Sequence, residues 1–132
     1  GDVVMFYTPN HIFIPPAYYG IIGAGFIFSA ANPAYTVAEL AHQMKILEPK
    51  AVLVHPDLLK RALEAALKAG IPDSRLLQFS DEEVLKNEGI LDWRTRLGTS
   101  AQGESYRWHR FTPEQAKKTT AAINFSSGTT GK

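Results

Sequence analysis

The residues with the most chemical potential lie together near the end of the chain: Ser126, Ser127, Gly128, Thr129, Thr130 and Gly131. They follow an apolar run, Thr120 to Phe125, that reads as a strand. Glycines let successive backbone N–H groups converge on one point, and the serine and threonine hydroxyls add donors around it. Such a loop suits the oxygens of a polyphosphate, above all at the carboxyl edge of a parallel sheet. A plain polar loop or linker is the competing reading of the same six residues, and their position directly after a buried strand favours phosphate. The spacing is not that of a Walker loop, which needs four residues between its first glycine and the Gly-Lys pair. Only Thr129 and Thr130 separate Gly128 from Gly131, and the required glycine position holds Ser126. Lys132 is therefore not a Walker lysine.

No other residues gather into a reactive set. His11, His42, His55 and His109 lack metal-ligand spacing and read as helix or loop histidines, so no metal ligand is expected. No Ser-His-Asp arrangement follows from spacing, and no catalytic residue is assigned. The chain has no cysteine, which excludes a disulfide scaffold, a thiolate zinc site and a cysteine nucleophile, and fits a reducing compartment. Fourteen basic and thirteen acidic side chains leave a formal charge of +1. Trp93, Arg94, Arg96, Tyr106, Arg107, Trp108 and Arg110 interleave bases with aromatics, as a surface for single-stranded nucleic acid would. Asp92 and Glu104 dilute that patch, and no RNA-binding signature or overall basic excess accompanies it. The patch reads instead as a surface that packs on further domains, and no nucleic-acid partner is expected.

The elements that must position the loop follow from periodicity. With 132 residues, 45% hydrophobic and 20% charged, the chain is sized for one compact domain. Val3 to Tyr7 reads as a buried strand stopped by Thr8-Pro9-Asn10. A helix starts near Ile14 with Pro15 and Pro16 in its first turn, and ends at Gly23 and Gly25. Phe26 to Ser29 is a second strand, broken by Asn32-Pro33. Thr36 and Glu39 form a capping box ahead of Val37, Leu40, Ala41, Met44 and Leu47, one apolar face at helical spacing. Ala51 to Val54 is a central strand. Asp57 to Ala69 is a helix with Leu59, Ala62, Leu63, Ala66 and Leu67 inward and Lys60, Arg61, Glu64 and Lys68 toward solvent, and Gly70 stops it. Arg75 to Phe79 is a strand, and Ser80 with Glu83 predicts a short helix over Asp81 to Lys86. Gly98 to Gly103 reads as a surface loop, and Thr112-Pro113-Glu114-Gln115 starts another short helix. Alternating strands and helices predict an α/β fold, a parallel sheet with helices on its faces.

No Asp, Glu, Lys or Arg occurs between Asp2 and Glu39, and Ile12 to Ala31 is long enough to span a membrane. Two prolines, three glycines, Tyr18 with Tyr19 near the middle and the absence of flanking basic anchors favour a buried strand, helix and strand instead. No transmembrane segment is expected. The chain opens on Gly1 and closes inside a glycine-rich loop, and reads as a piece of a longer protein. Cut there, the sheet would leave open edges and an uncovered apolar face, so the isolated chain is expected to aggregate or bind hydrophobic dyes.

Phe125-Ser-Ser-Gly-Thr-Thr-Gly131 resembles the phosphate-binding signature of the acyl-adenylate-forming enzymes, the AMP-dependent synthetases and ligases. That superfamily includes acyl-CoA synthetases, coumarate–CoA ligases, firefly luciferases and peptide-synthetase adenylation domains. Its pattern runs Ser/Thr-Ser-Gly-Thr-Thr-Gly-x-Pro-Lys-Gly, which sets Lys132 at the variable position and the family's own lysine two residues beyond it. The opening Gly1-Asp2, its strand and Pro9-Asn10 are also similar to the family, as are Gly23-Ala24-Gly25, Asn32-Pro33 and Thr36 to Leu40. The spacing holds across essentially the whole chain. The wording of Asn32 to Thr36 and of the loop is closest to coumarate–CoA-ligase-like enzymes.

The resemblance implies a Rossmann-like sheet within a large N-terminal AMP-binding domain, here residues 1–132 in part, with the loop at 126–131 and the C-terminal domain absent. It implies activation of a carboxylic acid with ATP as an acyl-adenylate, then transfer to coenzyme A, with Mg2+ accompanying ATP. Ser126, Ser127, Gly128, Thr129, Thr130 and Gly131 inherit the phosphate-binding role by position. The acyl pocket, the adenine contacts and the adenylation lysine would lie downstream, so the fragment alone is expected to be inactive. Alternatives are a peptide-synthetase adenylation domain, a luciferase-like enzyme, or a non-catalytic nucleotide-binding α/β module. An intracellular location, cytoplasmic or peroxisomal, is expected.

Overall fold

The computed structural model describes residues 1–83 and 86–126, with Lys86 described by its backbone alone. In chain order the elements are β1 (Val3–Tyr7), α1 (Ile14–Gly23), β2 (Ile27–Ala31), α2 (Val37–Leu47), β3 (Ala51–Val54), α3 (Leu59–Ala69) and β4 (Leu76–Gln78). A hairpin of β5 (Lys86–Asn87) and β6 (Ile90–Leu91) follows, then α4 (Ser100–Ser105), α5 (Pro113–Lys118) and β7 (Ala122–Ile123). Five strands form one parallel sheet in the order β4-β3-β1-β2-β7, as the alternating pattern predicts. Val3 to Tyr7 lie opposite Ile27 to Ala31 on one side, and Val4 to Tyr7 opposite Ala51 to Val54 on the other. Among the described residues no helix is long and apolar enough to cross a membrane; the Ile12 to Ala31 stretch divides into α1 and β2.

Because β1 is central, both of its faces are buried, which is why its sequence is apolar without alternation. Met5, Tyr7, Val52, Val54 and Leu76 point to one side, where α2 and α3 cover them with Leu40, Met44, Leu59, Ala62 and Ala66. Phe6, Leu53 and Phe79 point to the other, against Phe13, Ile14, Ala17 and Ile21 of the α1 region and Trp93. That second face is thinly covered: α1 has no fully buried residue. An open groove of about 820 Å3 runs beneath it, lined by Val4, Ala17, Ile21, Leu53, Leu77 and Trp93 among others.

Local signals account for the element ends. The Thr36 hydroxyl accepts from the Glu39 amide, and the Glu39 carboxylate accepts from the Thr36 amide at 2.8 Å, closing the first turn of α2. Gly70, at φ 74°, ends α3 in the left-handed region that a side chain would strain.

Five expectations need correction. Among the described residues of Asp81 to Lys86 there is no helix: residues 80–82 form a bend and Lys86 belongs to β5. Arg94 accounts for this, since its guanidinium donates to the carbonyls of Ser80, Asp81 and Glu82, while the Ser80 hydroxyl is spent on the Glu82 carbonyl. Leu67 is 81% exposed; the inward positions of α3 are Leu59, Ala62, Ala65 and Ala66. Gly98 to Gly103 is not all loop, because Thr99 and Gln102 form a capping box that starts α4. The second strand runs over Ile27–Ala31 rather than Phe26 to Ser29, drawn along by its full pairing with β1. The final strand is two residues long, Ala122–Ile123, rather than Thr120 to Phe125, because only these two residues pair, with Phe28 and Ser29 of β2.

Candidate nucleotide-binding edge

All five strands of the parallel sheet end at one edge, and the predicted loop begins there. β7 lies beside β2, with Ala122 opposite Phe28 and Ile123 opposite Ser29. The Phe28 amide donates to the Ala121 carbonyl at 3.0 Å, and the Ser29 hydroxyl donates to the Ile123 carbonyl at 2.7 Å. Ile123 and Phe125 pack against the core under α2 and α3. The chain then reaches solvent at Ser126, the one member of the predicted site among the described residues. Ser127, Gly128, Thr129, Thr130 and Gly131 lie outside them. The donor set of this loop is hydroxyls and amides without a carboxylate, which fits phosphate oxygens rather than a metal ion.

The neighbouring strand ends are firmly built. Arg61, exposed on α3, donates from Nη1 to the Tyr7 hydroxyl at 3.1 Å and to the carbonyls of Pro33 and Tyr35 at 3.1 and 3.3 Å. The Tyr7 hydroxyl lies 3.3 Å from the Pro33 carbonyl, and Asn32 Oδ1 accepts from the Ala34 amide at 2.9 Å. The Asn32-Pro33 turn is thereby tied to both β1 and α3. Arg61, which the helical pattern assigns to a solvent face, is thus a cross-link.

Beyond β1, the His11 ring sits 4.5 Å from Phe79, centroid to centroid, with both ring nitrogens buried and without a hydrogen-bond partner. Burial pushes its pKa below the ordinary histidine value. Asp81 opposes that shift, whereas His55 and Arg94 reinforce it. Among the described residues no three His, Asp or Glu side chains are grouped to hold a metal ion.

Of the basic and aromatic residues after β6, Trp93, Arg96 and Tyr106 line the open groove beneath α1. Trp93 packs on Phe79 and Phe13, and Arg94 pairs with the buried Asp92 at 3.0 Å. Tyr106 and Trp108 stand edge to face beside α1.

Two residues escaped the sequence reading. Ser29 and Gln43 are almost fully buried, and Gln43 Nε2 donates to the Ala30 carbonyl at 3.1 Å and to Ser29 Oγ at 3.4 Å. Their signal was available: a glutamine on the buried stripe of α2, between Leu40 and Leu47, and a serine within an apolar strand.

The sequence pattern of the AMP-binding enzyme family matches residues 1–132, and the chain belongs to that family. The acyl-CoA ligase azaF of Aspergillus niger is 38% identical over 134 residues, covering 99% of this chain and 24% of that protein. The phenylacetyl-CoA ligase epaB of the same species is 37% identical with the same coverage, and a probable 4-coumarate–CoA ligase of Dictyostelium discoideum is 33% identical over 99% of the chain. The chain spans about a quarter of the length of these relatives. Among solved structures, a long-chain-fatty-acid–CoA ligase of Archaeoglobus fulgidus superposes with a TM-score of 0.74 at 24% identity, over 99% of this chain and 24% of that one. An anthranilate–CoA ligase superposes with a TM-score of 0.75 at 17% identity, over 99% and 22%. At these identities the superpositions speak to the fold, which is that of the adenylate-forming enzymes.

Proposed function

We propose that the chain is part of the large N-terminal AMP-binding domain of an ATP-dependent carboxylic acid–CoA ligase, with residues 126–131 as its phosphate-binding loop and a C-terminal domain beyond this chain. The observation that carries the reading is positional: β7 ends at the carboxyl edge of a parallel sheet and leads directly into Ser126 and the Ser-Gly-Thr-Thr-Gly run. The family match over the whole chain and the relatives' names as CoA ligases support the same reading.

The reaction has two halves. A carboxylate oxygen attacks the α-phosphorus of ATP, giving an acyl-adenylate and releasing pyrophosphate. The thiol of coenzyme A then displaces AMP to give the thioester. In this scheme Ser126, Ser127, Gly128, Thr129, Thr130 and Gly131 bind and orient the β- and γ-phosphates. Their contribution is positional and electrostatic, with no proton transfer. Mg2+ would accompany ATP, and no described residue is assigned to hold it. The 132-residue chain alone is proposed to be inactive, because it carries only this portion of the nucleotide site. An intracellular location belongs to the same proposal, as ATP and coenzyme A are intracellular.

The test is acid-dependent exchange of labelled pyrophosphate into ATP by the full-length protein. Exchange that appears only with a suitable carboxylate, and that Thr129→Ala with Thr130→Ala weakens, is the expected result. Absence of exchange across aliphatic and aryl acids would overturn the reading in favour of a non-catalytic nucleotide-binding module.

A further inference from the structure

We propose that Ser29 and Gln43 are positioning residues for the nucleotide loop, acting through the last carbonyl of β7. The proposal rests on the ligase reading for its effect on ATP; the bracing itself is a property of the fold.

A one-way chain of hydrogen bonds leads from α2 to β7. Gln43 Nε2, on the buried face of α2, donates to the Ala30 carbonyl and to Ser29 Oγ. With its lone pair engaged in this way, the Ser29 hydroxyl directs its proton at the Ile123 carbonyl, 2.7 Å away. Ser29 is fully buried and Gln43 is 1% exposed, so the chain lies in an environment where such bonds are strong and their loss leaves unpaired groups.

Why should this matter for the loop? β7 is a two-residue strand at the edge of the sheet, paired only with β2 among the described residues. So short a ladder sets its register weakly. A side-chain bond to Ile123 reinforces that register at its last residue, three positions before Ser126. A polar pair is costly in this core, where Leu40, Met44 and Met5 are its fully buried apolar company. The arrangement places that polarity where it touches the final strand, so that α2, the best-buried helix of the edge, carries the strand that launches the loop.

The test uses the full-length protein with Ser29→Ala, Gln43→Met and the double variant, each close in volume to the residue replaced. Loss of one such bond is expected to raise KM for ATP by about five- to tenfold, with KM for the acid unchanged. Because the two residues act in series, the double variant should be little worse than Ser29→Ala alone. Hydrogen exchange at the Ile123 and Asn124 amides should accelerate in Ser29→Ala even without nucleotide. Unchanged KM for ATP with only a lower melting temperature would overturn the positioning role while leaving the ligase reading standing. Should the unmodified protein show no exchange of pyrophosphate, the ligase reading fails. The amide exchange then decides the bracing alone, and unchanged rates overturn it.

Discussion

The indole of Trp108 occupies the space that a side chain on Gly23 would need. A Cβ built on Gly23 would stand 2.6 Å from two of the ring carbons. The contact joins the end of α1 to a segment 85 residues later that is otherwise exposed, and Trp108 itself is 58% exposed. Gly23 therefore does more than close a helix.

Gly23→Ala should displace Trp108 without unfolding the protein. The half-exposed indole can swing into solvent, and alanine near a helix end regains up to about 1 kcal/mol of helix propensity. The expected outcome is a red-shifted Trp108 emission, read in a Trp93→Phe background, with little change in melting temperature. An unshifted spectrum would show that the indole has another resting place.

Thr36→Ala removes the side-chain acceptor of the capping box and should cost about 1 kcal/mol in urea unfolding. Glu39 adds a pH dependence. Its bonds from the Thr36 amide and hydroxyl hold its pKa below the ordinary carboxylate value. The folded state thus favours the charged form, and this stabilisation is present above the ordinary glutamate range and lost as pH falls through the depressed value. Glu39→Gln, which keeps an acceptor oxygen but no charge, should flatten the stability profile in that acid range.

His11 gives an acid sensitivity of opposite origin. Its pKa is lowered chiefly by burial, so below about 6.5, the ordinary histidine value, the unfolded chain takes up a proton that the folded state resists. Stability should fall as pH drops from 7 toward 5. His11→Phe, which keeps a ring against Phe79 and Phe13, should lose less over that interval. Parallel profiles for the two proteins would mean that His11 is not the titrating group.

On α3 the apolar residues are not equivalent. Leu67→Ser should change stability by less than about 0.5 kcal/mol, since Leu67 is 81% exposed. Ala66→Leu should cost about 1–3 kcal/mol, because that position is fully buried in the core and a larger chain there overpacks it. Thermal melts of the two variants check the order. Reversal would place the other face of the helix on the sheet.

How much of this was legible in the residues differs by element. The Thr36–Glu39 box, Gly70 and the apolar runs of β1 and β3 are local signals, and the structure has each where the sequence puts it. The loop at 126–131 is legible as a motif, and the family match covers it; of its geometry only the departure at Ser126 is described. Asp81 to Lys86 misled because its capping pattern is local, while Arg94, eleven residues beyond Glu83, takes the carbonyls that a helix would use. Leu67 misled because helical spacing alone leaves the edge of the buried stripe undetermined, and contact with the sheet made Ala65 the inward residue.

By itself the sequence determined the strands and helices that local signals mark, that the sheet is parallel, and that a Ser-Ser-Gly-Thr-Thr-Gly run follows the last strand. These depend on interactions within a few residues and on the run of apolar side chains. Tertiary structure alone decided that Arg61 ties Tyr7 to the Pro33 turn, that Trp108 rests on Gly23, and that Gln43 reaches β7 through Ser29. Each joins residues that are distant along the chain, and the pairing exists only once the sheet order β4-β3-β1-β2-β7 has brought them side by side.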